Sequence, residues 1–193
     1  MTEARSHRPA CHVSRGDKVA ICILAGGLSR RMGRNKAVIR LGGLTLLQRV
    51  RATAAELELP IRVIRRDLVP RCGPLGGIYT GLITSRAEAE LFLACDMPFI
   101  DAQFLRKLID RFGKAGRPVF MRVDEVAGFP LLVPAAAAAT VLHRIEAKEL
   151  SIQALAKALR AALINVKSAR ASQLRNLNSP GDVKLARASL AAG

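Results

Sequence analysis

The chain has no tryptophan, one tyrosine and six phenylalanines in 193 residues. No aromatic cluster or recognised nucleic-acid motif is present, which argues against a nucleic-acid partner. No apolar run approaches about 20 residues, so no transmembrane helix is expected. The four cysteines, Cys11, Cys22, Cys72 and Cys95, are scattered without a C-x-x-C spacing. That disfavours zinc and redox chemistry and suits a reduced cytoplasm. Cys22 and Cys95 lie inside apolar runs and read as small core residues. The first 18 residues contain no apolar signal core and read as a disordered leader, with His7 and His12 unpartnered beside Cys11. Acidic residues are few: 15 Asp and Glu stand against 31 Lys and Arg, a net charge of +16. Such a balance implies an anionic partner, and with nucleic acid disfavoured a polyphosphate-bearing small substrate fits best.

Half of the residues are hydrophobic, and residues 19–193 read as a single domain with a core of Leu, Ile, Val and Ala. Strands are expected at Val19–Leu24, Ile61–Ile64, Leu91–Cys95, Val119–Val123, Phe129–Val133 and Leu163–Val166. The connection between the fourth and fifth of these is a hairpin across Asp124–Gly128. Helical spacing appears over Leu44–Leu57 and Gly76–Ser85. Further helices follow Asp101 (as far as Gly113), Pro134 (to about Ala147) and Ser151, with a short tail helix after the turn Asn176–Asp182. Alternating strands and helices predict a three-layer α/β/α sandwich with a mostly parallel, mixed sheet. Ligands of such sheets bind beyond the carboxyl ends of the strands.

Two segments lie at such ends. Val19–Leu24 empties into Leu24-Ala-Gly-Gly-Leu-Ser-Arg-Arg-Met-Gly-Arg-Asn-Lys36. Glycines let a ligand approach the backbone, exposed N–H groups face its oxygens, and Arg30, Arg31 and Lys36 offset its charge. The loop lacks the Gly-Lys-Ser/Thr of a Walker A motif and the G-x-G-x-x-G of a dinucleotide site. It reads as a triphosphate loop. The second segment is Asp96, which follows Leu91-Phe-Leu-Ala-Cys95 and precedes Met97-Pro98. A carboxylate at the mouth of a buried strand needs a partner, and magnesium, which takes one or two carboxylates plus phosphate oxygens, is a natural one. Asp67, in a loop rich in glycine and proline, suits either a base or ribose contact or a surface ion pair with Arg66 or Arg71. Asn176 and Asn178 suit either a second substrate or simple turn chemistry.

The segments L-A-G-G-x-S-x-R-M-G-x-x-K, G-P-L-G-G, L-A-C-D-M-P-F and N-L-N-S-P-G-D occur in this order between about Val19 and Leu185. Together they resemble the molybdenum cofactor guanylyltransferases, the MobA family of the nucleotide-diphospho-sugar transferases. The resemblance implies transfer of GMP from Mg2+-GTP to molybdenum-molybdopterin, with release of pyrophosphate. It implies that Leu24, Ala25, Gly26 and Gly27 hold guanine and ribose, that Lys36 contacts phosphate and that Asp67 binds the nucleotide. Asp96 is then the magnesium and nucleotide ligand, Arg31 or Arg30 shares phosphate charge with Lys36, and Asn176 and Asn178 face molybdopterin. A molybdoenzyme or its insertion chaperone is the expected recipient. The chain departs from the family pattern in three places. Asn35 stands where Asp is usual, Phe129-Pro130 stands where His-Pro is common, and one strand and its loop are missing before Asp67. Two alternatives share the same residues: a transferase using CTP or another NTP, with molybdopterin, a sugar phosphate or another cofactor as acceptor, and a catalytically impaired molybdopterin-binding relative.

Overall fold

A computed structural model describes residues 18–26 and 36–191. The leader, with His7, Cys11 and His12, lies outside the described residues, as do Gly27, Arg30, Arg31, Gly33 and Asn35 of the first loop. The elements run β1 (Val19–Leu24), β2 (Arg40–Leu41), β3 (Leu44–Thr45), α1 (Leu46–Ala55), β4 (Ile61–Ile64), α2 (Pro74–Ile83), β5 (Ala89–Ala94), α3 (Ala102–Ala115), β6 (Val119–Val123), β7 (Val126–Pro134), α4 (Ala138–Glu146), α5 (Ile152–Ala158), β8 (Ala162–Asn165), α6 (Ser168–Ala171) and α7 (Pro180–Ala191). Six strands form one mixed sheet in the order β4-β1-β5-β7-β6-β8, and β2 and β3 pair separately. The pairings β1–β4, β1–β5 and β6–β8 are parallel, whereas β7 runs antiparallel to β5 and β6.

The central strands β1 and β5 are apolar apart from Glu90, as befits strands covered on both faces. On one face Ile21, Ile23, Leu91 and Leu93 pack with Val50 and Ala54 of α1 and with Phe104, Leu105 and Leu108 of α3. On the other, Cys22, Phe92, Phe120 and Leu131 pack with Leu75 and Ile78 of α2, Val141 of α4 and Leu155 of α5. The expected three-layer sandwich is therefore observed. Cys22 and Cys95 are buried core residues, as expected, and so is Cys72.

Several boundaries differ from the sequence reading for local reasons. Leu44 and Thr45 form a strand, and α1 starts at Leu46 because Thr45 caps it. The Gln48 amide donates to Thr45 Oγ1 (3.1 Å) and the Thr45 amide to Gln48 Oε1 (2.8 Å), a reciprocal capping box. Helix α2 begins earlier than expected, with Pro74 in its first turn behind Gly73, whose φ of 55° suits glycine. Asp101 caps α3 as expected, accepting from the Phe104 amide at 2.9 Å. That helix passes through Gly113 and stops at Gly116, in the left-handed region at φ 60°. The hairpin turn is shorter than expected: Asp124 and Glu125, both at positive φ (46° and 64°), alone join β6 to β7. Pro134 ends β7 and also caps the expected helix, which opens as a 3-10 turn at Ala135–Ala137 and runs directly into α4 at Ala138. Ser151 caps α5 as expected, accepting from the Ala154 amide at 3.1 Å.

Among the described residues a single strand, β4, lies between α1 and α2, consistent with the shortened stretch seen in the sequence. It forms the edge of the sheet and is half-buried along its length. An edge strand needs other anchors than a second neighbour, and Arg62 provides them. Its guanidinium donates to Glu90 Oε1 (2.6 Å), to the Gly81 carbonyl (2.8 Å) and to the Thr84 carbonyl (3.0 Å). The edge is thereby fastened across β1 to β5 and to the C-terminal turn of α2, whose open carbonyls favour a cation.

Candidate active site

The carboxyl ends of β1, β4 and β5 converge. The Ala25 amide donates to the Ile64 carbonyl (2.8 Å) and the Cys95 amide to the Leu24 carbonyl (3.1 Å). The start of the first loop and the strand end that carries Asp96 are thus direct neighbours. This is the placement that a parallel sheet gives to residues separated by a whole βα unit.

Of the loop residues expected to hold a nucleotide, Ala25 is buried, Leu24 half-buried and Gly26 exposed. Gly26 lies so close to the β4 end that a Cβ there would sit 2.8 Å from the Arg65 carbonyl oxygen. Backbone would have to move, at a cost of about 1–3 kcal/mol. Gly26→Ala is therefore expected to weaken nucleoside triphosphate binding roughly ten-fold by calorimetry. Unchanged affinity would show that this bend does not carry the ligand.

Asp96 and Lys36 face each other. Lys36 Nζ donates to Asp96 Oδ2 at 2.8 Å, with both side chains largely buried. Lys36 also donates to Asn178 Oδ1 at 2.7 Å. The other carboxylate oxygen, Asp96 Oδ1, is buried and has no hydrogen-bond partner among the described residues. A buried unpaired carboxylate oxygen is costly without a cation or donor, so the donor set fits a hard divalent ion. Among the described residues no group of three or more His, Cys, Asp or Glu forms a metal cage. Magnesium, bound through one or two carboxylates together with phosphate oxygens and water, needs none.

Asp67 is half-buried, and burial pushes its carboxyl above the ordinary value. Its oxygens lie against the first turn of α2. A Cβ added at Gly76 would be 3.0 Å from Asp67 Oδ2, and one at Gly77 would be 3.3 Å from Oδ1 and 3.1 Å from the Leu24 methyls. Among the described residues no ion pair joins Asp67 to Arg66 or Arg71. The G-P-L-G-G stretch thus leaves room for Asp67 and Leu24 beside the β1 end, a function of its glycines beyond shaping the loop. Burial also pushes the Cys95 thiol up to about 12, so the neighbour of Asp96 is inert as a nucleophile.

Asn176 is exposed. Asn178 reaches the site because the Leu177 amide donates to the Asp96 carbonyl at 2.9 Å. Asp182 is a residue that the sequence reading passed over. Its Oδ2 accepts from the Asn178 amide (3.0 Å), the Ser179 amide (2.9 Å) and Ser179 Oγ (2.9 Å). These bonds, those of Ser179 first, hold its carboxyl below the usual range. The signal was present as Ser179-Pro-Gly-Asp182, a capping pattern ahead of α7. The site therefore unites Leu24, Ala25, Gly26, Lys36, Asp96 and Asn178, with Asp67 nearby against Gly76 and Gly77. Gly27 and Arg31 belong to the part of the loop outside the described residues.

Known proteins are similar to this chain in sequence and in fold. A family model described as a MobA-like NTP transferase domain matches residues 21–166. A probable molybdenum cofactor guanylyltransferase of Flavobacterium johnsoniae is 30% identical over 176 residues, covering 83% of this chain and 92% of that protein. The molybdenum cofactor guanylyltransferase of Pseudomonas syringae pv. syringae is 31% identical over 181 residues, covering 83% of this chain and 89% of its own. Among solved structures, molybdopterin-guanine dinucleotide biosynthesis protein A from Archaeoglobus fulgidus superposes with a TM-score of 0.72 at 22% identity, over 90% of this chain and 100% of that one. The same fold recurs in a 4-diphosphocytidyl-2C-methyl-D-erythritol synthase from Anaerococcus prevotii, with a TM-score of 0.69 at 13% identity, over 91% of this chain and 99% of that one.

Proposed function

The chain belongs to the MobA-like NTP transferase family and is a nucleotidyltransferase, and from that premise we propose that it transfers GMP from magnesium-GTP to molybdenum-molybdopterin, releasing pyrophosphate. The observation that carries this reading is the meeting of Lys36, Asp96 and the β1 end, with Asp96 Oδ1 buried and without a partner among the described residues. The guanine and molybdopterin assignments draw support from the curated relatives at about 30% identity.

The acceptor is a phosphate already ionised, so no protein base is required, and rate enhancement rests on alignment and charge. Leu24, Ala25 and Gly26, with Gly27, hold base and ribose by backbone, and Asp67, against Gly76 and Gly77, binds the nucleotide beside them. Lys36, with Arg31, stabilises charge on the departing phosphates. Asp96 holds magnesium, which when bound supplies positive charge to the triphosphate. Among the described residues no helix is long and apolar enough to cross a membrane. The net charge of +16 suits two anionic substrates. We place the reaction in the cytoplasm, with a molybdoenzyme or its insertion chaperone receiving the product.

A panel of the four NTPs with magnesium tests the reading. GTP is expected to bind best, and Lys36→Ala to weaken it roughly ten- to a hundred-fold. A preference for CTP would move the protein to a cytidylyl reaction. Retained molybdopterin binding without guanylylation would instead support a non-catalytic relative.

A further inference from the structure

We propose that Asn178 is a positioning residue for Lys36, which assigns the turn ahead of α7 to the triphosphate half of the site and not to the molybdopterin half that the sequence resemblance implies. The proposal rests on the reading of Lys36 as a phosphate-binding cation.

A lysine carries three donors on a flexible stem and does not hold one direction by itself. Here two acceptors on different parts of the chain fix the ammonium: Asp96 Oδ2 at 2.8 Å and Asn178 Oδ1 at 2.7 Å, the second from a residue 142 positions away. Three contacts keep Asn178 in place. The Leu177 amide donates to the Asp96 carbonyl at 2.9 Å. The Asn178 amide donates to Asp182 Oδ2 at 3.0 Å. Ile39, Leu41 and Leu46, just beyond Lys36, share a buried cluster with Leu177, Val183 and Ala186. Arg187 adds a bond from its guanidinium to the Arg40 carbonyl at 3.0 Å. The segment carrying Lys36 and the segment carrying Asn178 thus form one packed unit. The amide oxygen accepts from the ammonium without adding charge. Asn178 can therefore orient Lys36 while leaving its positive charge for phosphate, which a second carboxylate would not.

Two measurements test this. In the ligand-free protein, trace acetylation with acetic anhydride, read by mass spectrometry, is expected to modify Lys36 several-fold faster in Asn178→Ala than in the wild type. An unchanged rate overturns the proposal without touching the guanylyltransferase reading. A double-mutant cycle on magnesium-GTP affinity is the second. Asn178→Ala is expected to weaken GTP roughly five-fold, and to have no further effect in a Lys36→Ala background. Asn178 is exposed, so matched thermal melts are expected and would show that the fold is intact. An undiminished effect in the Lys36→Ala background overturns the proposal. A raised KM for molybdopterin with unchanged GTP affinity also overturns it and returns Asn178 to the acceptor side. If the wild type binds no NTP, the guanylyltransferase reading fails. The assignment to a triphosphate half then fails with it, while the acetylation result still decides whether Asn178 holds Lys36.

Discussion

Asp96→Ala is expected to abolish magnesium-dependent GTP binding and to lower guanylylation by about a hundred-fold or more. Two losses combine in this one change. The buried Oδ1, which has no partner among the described residues, is the oxygen proposed to hold the divalent ion. Oδ2 is one of the two acceptors that hold Lys36. The backbone contact from the Leu177 amide to the Asp96 carbonyl is untouched by truncation, so the tail segment keeps its place. Asp96→Asn separates the two effects. It keeps an oxygen for Lys36 and removes the negative charge that a hard cation needs. Titration calorimetry with GTP, with and without magnesium, reads the difference. The asparagine variant is expected to lose the magnesium-dependent part of the affinity, and the alanine variant to lose more. If wild type and Asp96→Ala bind magnesium-GTP equally, the metal assignment is wrong.

Arg62→Ala is expected to destabilise the fold by about 3–5 kcal/mol, because it strands a buried carboxylate. Glu90 is 0% exposed. Its Oε1 accepts from Arg62 at 2.6 Å and from Ser85 Oγ at 2.5 Å, while Oε2 is buried and has no partner among the described residues. Burial outweighs both contacts and holds the Glu90 carboxyl above its ordinary value. The sign of the pH effect follows. Between the ordinary carboxyl range and the raised one, the folded protein binds more protons than the unfolded chain, so this group's contribution falls as pH rises through that window. Glu90→Gln keeps an oxygen for Arg62 and removes the ionisation. Its stability is expected to stay within about 1 kcal/mol of wild type near neutrality, without that fall. Urea unfolding of the three proteins across mildly acidic to neutral pH measures both effects. An Arg62→Ala variant as stable as wild type would show that β4 needs no bolt.

Some parts of the site were legible because they are local. A strand that runs into a glycine-rich loop, and an apolar strand that ends in Asp96, follow from neighbouring residues and the backbone rules of each. The caps at Asp101 and Ser151 are equally local, and both were found. Other local signals compete with one another in the sequence. Thr45 and Gln48 form a capping box, yet the apolar spacing from Leu44 suggested an earlier helix start. Asp124 and Glu125 turn the hairpin without glycine, so the turn was read as longer than it is. Arg62, inside Ile61–Ile64, looks like an ordinary outward residue of an amphipathic strand, and nothing nearby announces that Glu90 lies within its reach across β1.

The sequence by itself determined the alternation of strands and helices, the glycine-rich basic segment after the first strand, and the acid at a strand mouth. Each is set by interactions within one element and its adjoining turn. Only the tertiary structure decided which of these meet. Parallel pairing of β4 and β5 on either side of β1 brings Asp67, Leu24 and Asp96 to one end of the sheet, and the cluster around Leu41 and Leu177 carries Asn178 to Lys36. Contacts between residues so far apart in the chain depend on burying both faces of the sheet at once, and no local pattern records that collective packing.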